Sequence, residues 1–206
     1  MRVLTHICCG PCFTAVHEIL ASSGHRLGAY YFNPNIQPVG EYRRRLAYVA
    51  AFCSFESVDL SVGSYNISEF FKNAVGYTDK QDRCRRCYRL RLMSTALSAA
   101  QNDFDAFTTT LLLSPWQFHD ELKTVAQEIG DSVGVRFLYR DFRPAYRRSV
   151  EISRARGMYR QKYCGCLFSD SERHTEITSK LKIAIREGHS DPDSPKKSQG
   201  GRGSES

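Results

Sequence analysis

MRVLTHICCGPCFTAVHEILAS, residues 1–22, places a strand, a turn and a helix in the order in which an α/β sheet begins. Residues 3–7 form a short apolar strand, residues 8–12 a turn around Gly10 and Pro11, and residues 13–22 a helix with Phe13, Val16, Ile19 and Leu20 on one stripe.

The same alternation continues outward. Strands are expected over 27–32, 56–60, 106–111 and 136–138, and helices over 41–52, 67–74, 84–102, 120–130, 145–156 and 169–186. The NPNIQP stretch from Asn33 to Pro38 reads as a turn-rich loop, because each proline restricts its predecessor. Strands alternating with helices imply a three-layer, largely parallel α/β sheet. Residues 1–186 are read as one domain with no internal repeat. Residues 187–206 are polar and rich in Pro, Gly and Ser, too poor in apolar groups to offset their ordering entropy, and read as a disordered tail.

With 206 residues, 41% of them hydrophobic and 12% aromatic, the chain has the apolar stock for a real core, which excludes a disulfide-stapled miniprotein. A net charge of +7 suits a polyanionic partner such as nucleic acid. No run approaches the ~18 apolar residues of a membrane span, and the first residues lack a signal peptide's charged start and long apolar run. A cytoplasmic location follows as an expectation, and with it a reducing environment. There, eight cysteines serve metal binding or redox chemistry more often than structural disulfides.

The cysteines fall into three groups and a singleton: Cys8, Cys9 and Cys12 in CCGPC, Cys84 and Cys87 as C-x-x-C at a helix start, Cys164 and Cys166 as C-x-C, and Cys53 alone. A four-iron cluster needs four thiolates from several directions, a count that Cys8, Cys9, Cys84 and Cys87 satisfy. The same four suit tetrahedral zinc. Cys12 at a helix N-terminus has its thiolate favoured by the dipole, although Cys8 or Cys12 also reads as a buried filler; Cys53 is assigned to that role. In YCGC, Gly165 permits the tight backbone of a strained, labile disulfide, so the pair reads as redox-active, with two more metal ligands as the alternative.

CCGPC (8–12), YFNPNIQPVGEYRRR (31–45), DRCRRCYRLRL (82–92), TTTLLLSP (108–115) and MYRQKYCGC (158–166) together resemble the QueH-type epoxyqueuosine reductases, from about Leu4 to Phe168. The resemblance implies the reduction of epoxyqueuosine to queuosine at the wobble position of tRNA without cobalamin. It implies a 4Fe-4S cluster on Cys8, Cys9, Cys84 and Cys87, an additional mononuclear iron with Cys12 as candidate ligand, and Cys164 and Cys166 as a redox-active pair. It further implies a sheet like that of the adenine-nucleotide α-hydrolases (HUP-like). Where those proteins have a glycine-rich pyrophosphate loop this chain has CCGPC, so no ATP is expected. An external electron donor protein is expected as a partner, and a membrane is not.

Asp141, in YRDFRP, reads as an iron ligand or proton donor, or as the ion-pair partner of Arg140 or Arg143. Tyr42, Tyr88 and Tyr163 read as base contacts or as packing. Three basic runs, Arg43 to Arg45, the arginines from Arg83 to Arg91, and Arg147 with Arg148, read together as a surface for anticodon-stem phosphates and singly as solvated helix faces. His6 and His119 are assigned structural roles. The competing reading of the whole chain is a zinc-bound RNA-binding module without catalytic activity.

Overall fold

The computed structural model describes residues 1–186, and the tail expected over 187–206 lies outside the described residues. These residues form two units, Met1–Cys166 and one that begins at Leu167. The second is described as a single helix, α7 (Leu167–Arg186).

In the first unit the order is β1 (Arg2–His6), α1 (Gly10–Ser22), β2 (Arg26–Tyr31), α2 (Val39–Phe55), β3 (Asp59–Val62), α3 (Ile67–Ala74), α4 (Lys80–Gln101), β4 (Ala106–Thr109), α5 (His119–Val133), β5 (Arg136–Phe137) and α6 (Tyr146–Ala155). The five strands are all parallel, in the spatial order β3-β2-β1-β4-β5. Right-handed crossovers put α1 and α2 on one face of such a sheet and α4 and α5 on the other. Packing agrees: α1 lies against α2 and α6, and α4 against α5. The three-layer parallel architecture expected from the alternation is the one observed.

The boundaries differ from expectation where a local interaction overrides periodicity. β3 starts at Asp59, because the chain first turns through Ser57 in the left-handed region, with Val58 N–H bonded to Cys53 O. β4 stops at Thr109, whose hydroxyl accepts the Leu111 N–H at 3.1 Å and opens a 3-10 turn over Thr110–Leu113. α4 begins at Lys80, four residues before the first cysteine of C-x-x-C, since Asp79 caps it by accepting from Asp82 N–H at 2.9 Å.

Two buried clusters hold the unit together. One joins Leu4 and Phe107 of the sheet to Leu92, Ala96, Val125 and Ile129 of α4 and α5. The other joins Ile7, Ala29 and Tyr31 to Phe13, Val49 and Phe52 of α1 and α2. Phe13 is fully buried and meets Phe52 edge to face, with ring centroids 5.4 Å apart. Phe13→Ala is expected to cost about 3–5 kcal/mol and to lower the melting temperature by roughly 10 °C. Thermal unfolding followed by circular dichroism checks this; an unchanged midpoint would show that α1 does not depend on that contact.

Candidate metal centre

Strand order reverses at β1, so the loops leaving β1 and β4 open a crevice at the carboxyl edge of the sheet. Parallel register places His6 beside Tyr30 on one side and Thr109 on the other. Just beyond, Cys8 N–H donates to Thr110 Oγ1 at 3.1 Å, and the Thr110 hydroxyl donates back to Cys8 Sγ at 3.3 Å. Cys9 is the N-cap of α1, its extended backbone directing the sulfur to accept Cys12 N–H at 3.3 Å. Gly10 and Pro11 form the first helical turn, where proline's missing N–H costs nothing. A Cβ on Gly10 would stand 2.7 Å from Met158 Cε and 3.0 Å from Tyr48 O, so a larger residue here would have to displace the Met158 side chain and crowd α2.

This start gathers three sulfurs. Cys9 Sγ lies 2.6 Å from Cys12 Sγ and 3.8 Å from Cys8 Sγ. All three are within 4.8 Å of one another, the one such group of three His, Cys, Asp or Glu ligands found among the described residues. Hydrogen bonding from Cys12, then from Cys9, holds the Cys8 thiol well below its ordinary value. Burial pushes Cys9 up, and hydrogen bonding to Cys8 pushes Cys12 up. The three thiols are thus pushed in opposite directions by one another, as closely spaced acids in a dry site are.

C-x-x-C is set in the second turn of α4 rather than at its start. Cys84, Cys87, Tyr88, Arg91, Leu92, Thr95, Ala96 and Ala99 fall at three- and four-residue intervals, the inward stripe of the helix. Cys84 is half-buried and Cys87 buried. Burial raises Cys84 to about 12 and Cys87 to about 11, with the Cys164 charge contributing to both. As placed, these two sulfurs stand outside the 4.8 Å group formed by Cys8, Cys9 and Cys12.

The third cysteine segment is pinned by Arg45, 2% exposed. Its Nε donates to Glu41 Oε1 at 2.7 Å, Nη1 to Cys164 O at 2.9 Å and Nη2 to Tyr163 O at 3.2 Å. Gln37 N–H adds a bond to Gly165 O at 2.8 Å, tying YCGC to the loop after β2. Gly165 has φ +121°, and a Cβ there would meet Ile36 Cγ1 at 2.9 Å and Arg45 Nη1 at 3.1 Å. Hydrogen bonding from Cys166 brings the Cys164 thiol down to about 6, with Arg91 and Arg45 assisting. Cys164 acts electrostatically on Cys84, Cys87 and Arg91, and Cys8 on Arg91, so all three segments share one environment.

The other residues singled out in the sequence divide between the surface and the surroundings of the cysteines, where Cys84 and Cys164 act on Tyr88 and Cys8 acts on His6. Asp141 forms an ion pair with Arg143, Oδ2 to Nη2 2.6 Å, on the protein surface. That bond holds its carboxyl down at about 2, so in this arrangement Asp141 has no proton to give at neutral pH. Tyr42 packs in tilted ring contact with Tyr31 and Tyr65. Tyr88 donates to Gln117 Oε1 at 2.8 Å and accepts Phe118 N–H, and Tyr163 donates to Gln37 O. His6 is buried between Thr109 Oγ1 and Phe32 O and is lowered to about 4 by desolvation, and His119 contacts the Tyr139 hydroxyl. Cys53 lies in the α1–α2 core, raised to about 12 by burial alone.

The basic runs divide. Arg45 and Arg91 are buried, which corrects their expected place on a phosphate-binding or solvated face. Arg85 and Arg89 pair with Glu128, Arg148 pairs with Glu18, and Arg86 covers the Tyr77 ring. Arg43, Arg44 and Arg147 remain exposed. The buried arginines leave a sequence signal: Arg45 follows Glu41 by four residues, and Arg91 falls in register with the inward stripe of α4.

Residues 3–172 match the sequence model of the family described as epoxyqueuosine reductase QueH. Relatives of that name include the protein of Dehalococcoides mccartyi, 35% identical over 175 residues that cover 84% of this chain and 94% of the relative. The protein of Thermotoga maritima is 35% identical over 191 residues, covering 86% and 96%. Among solved structures, the fold is similar to that of the U34-tRNA thiolase NcsA from Methanococcus maripaludis with its 4Fe-4S cluster, with a TM-score of 0.53 and 13% identity over 91% of this chain and 71% of that one.

The Cys164 geometry has a direct consequence. In the reduced, metal-free chain, iodoacetamide labelling of Cys164 is expected to rise through a midpoint near 6, where its thiolate forms. Cys166→Ala removes the hydrogen-bond donor and moves that midpoint toward the ordinary thiol value of about 8.5. Peptide-resolved labelling against pH measures both, and equal midpoints in the two proteins would contradict the pairing.

Proposed function

The chain belongs to the epoxyqueuosine reductase QueH family, and on that premise we propose that it reduces epoxyqueuosine to queuosine in tRNA at an iron–sulfur centre held by its cysteines. The observation that carries the reading is the buried trio Cys8, Cys9 and Cys12 at the strand-order reversal, with two further cysteine segments in the same electrostatic environment.

Its donor set fits a soft metal centre. The ligands available are thiolates, they are buried, and one buried guanidinium beside them has no carboxylate partner among the described residues. Cys8 and Cys9 with Cys84 and Cys87 are assigned to a 4Fe-4S cluster, and Cys12 to an additional iron. Cys9 occupies the helix start where an adenine-nucleotide α-hydrolase binds pyrophosphate, its sulfur satisfying the Cys12 N–H, which supports a reaction without ATP.

Converting an epoxide to an alkene takes two electrons and two protons and releases the oxygen as water. When bound, such a centre supplies single electrons and an iron that acts as Lewis acid toward oxygen. The chain's own groups do the rest. Thr110 orients Cys8, and Arg45 holds the Cys164 carbonyl, so the C-x-C segment keeps its place through turnover. Cys164 and Cys166 form a dithiol able to hold protons beside the reacting carbons and to yield two electrons by closing a disulfide. An external protein restores those electrons. Arg43, Arg44 and Arg147, exposed and with no carboxylate partner among the described residues, provide charge for the tRNA backbone. Among the described residues, no helix is long and apolar enough to cross a membrane, and a cytoplasmic enzyme is proposed.

Deleting the gene is expected to make epoxyqueuosine accumulate in cellular tRNA, and restoring it to remove the accumulation. Complementation with Cys84→Ala or Cys87→Ala should fail, with activity down by at least the ~100-fold that loss of a metal ligand or its support costs. Asp141→Asn should complement fully. Mass spectrometry of tRNA nucleosides reads all five strains. Unchanged queuosine on deletion, or full complementation by the α4 variants, would overturn the proposal.

A further inference from the structure

Arg91 is 1% exposed, at the middle of the inward stripe of α4. Its Nε donates to Cys87 O at 3.2 Å, while Nη2 is buried without a hydrogen-bond partner among the described residues. No carboxylate among them lies within ion-pairing distance of it. A guanidinium cannot shed its proton to escape burial, so this is a permanent charge that requires an anion. Arg45 makes the contrast: equally buried, it is neutralised by Glu41. The groups acting most strongly on Arg91 are Cys87, then Cys164 and Cys8, and Cys84, Cys87 and Arg91 share one face of the helix at spacings of three and four residues.

We propose that Arg91 is the fixed counter-cation of the sulfur centre, a positioning residue whose charge stabilises the thiolates and raises the centre's reduction potential. This rests on the reading that the cysteines hold an iron–sulfur centre. Reduction adds one electron to an already anionic group, so a buried cation favours the reduced form more than the oxidised one; net charge and hydrogen bonding are the protein's means of setting such potentials. The position also removes Arg91 from the tRNA surface to which its neighbours in the sequence would assign it.

The test compares Arg91→Met, Arg91→Gln and Arg91→Lys with the full wild-type chain, all reconstituted anaerobically and checked for fold by circular dichroism. Midpoint potentials come from redox titration followed by electron paramagnetic resonance, and tRNA affinity from binding at several salt concentrations. Both neutral variants are expected to lower the reduced-to-oxidised ratio at a given potential about tenfold, a 59 mV fall for one electron. The lysine variant should stay closer to wild type, and tRNA affinity and its salt dependence should not change. If the methionine protein does not fold, the glutamine protein carries the comparison. Neutral variants with the wild-type potential would overturn the inference, as would weakened tRNA binding with a salt slope smaller by about one and an unmoved potential. A wild-type chain that takes up no iron–sulfur centre overturns the underlying reading and this inference together, whereas a loaded wild type with unmoved variants overturns this inference alone.

Discussion

β1 is hydrogen-bonded on both sides, to β2 and to β4, and that double pairing sets the position of the CCGPC sulfurs, around which the other cysteine segments are arranged. A strand held along both edges cannot shift register without losing both ladders and exchanging its two buried faces. The residues just past His6 therefore emerge at a fixed point opposite Thr110, and the reciprocal Cys8–Thr110 bonds convert that register into the location of one sulfur. Cys9 and Cys12 follow because the helix begins at once, with the cap sulfur and the first turn sharing one donor. α4 crosses back toward β4 and brings Cys84 to the same cluster of buried side chains as Cys8 and Cys9.

Charge is the second constraint. A dry pocket of thiolates is unfavourable unless cations accompany it. Arg45 and Arg91 are buried at the cysteine segments, Arg45 against the carbonyls of YCGC and Arg91 against C-x-x-C. Both sit on helices that also carry exposed arginines, among them Arg85 and Arg89 paired with Glu128, so one basic run serves two purposes according to its phase around the helix. The positive charge that the composition attaches to a nucleic-acid partner is thus partly internal.

Most of the architecture was legible in the sequence because apolar periodicity reports burial directly. Alternating strands and helices predict the parallel sheet, and the helix at 67–74 matches α3 to the residue. What periodicity misses are local hydrogen bonds that end or extend an element: the Asp79 cap that starts α4 a turn early, the Thr109 hydroxyl that ends β4, and the turn through Ser57 that delays β3. At the site, the CCGPC spacing pointed to the segment where three sulfurs gather. They did not reveal that Cys12 stands closest to Cys9, or that two arginines of the basic runs lie inside. Residue type alone classed those arginines as surface, and only their helical phase relative to Glu41 and to Cys87 identifies them.

Iron, acid-labile sulfide and zinc analysis of the chain purified without oxygen bears most directly on the thiolate centre. About four iron and four sulfide per chain, with iron in excess of sulfide where a further site is filled and zinc only in trace amounts, is the expected result. Stoichiometric zinc without sulfide would contradict it and make the cysteines a closed structural site.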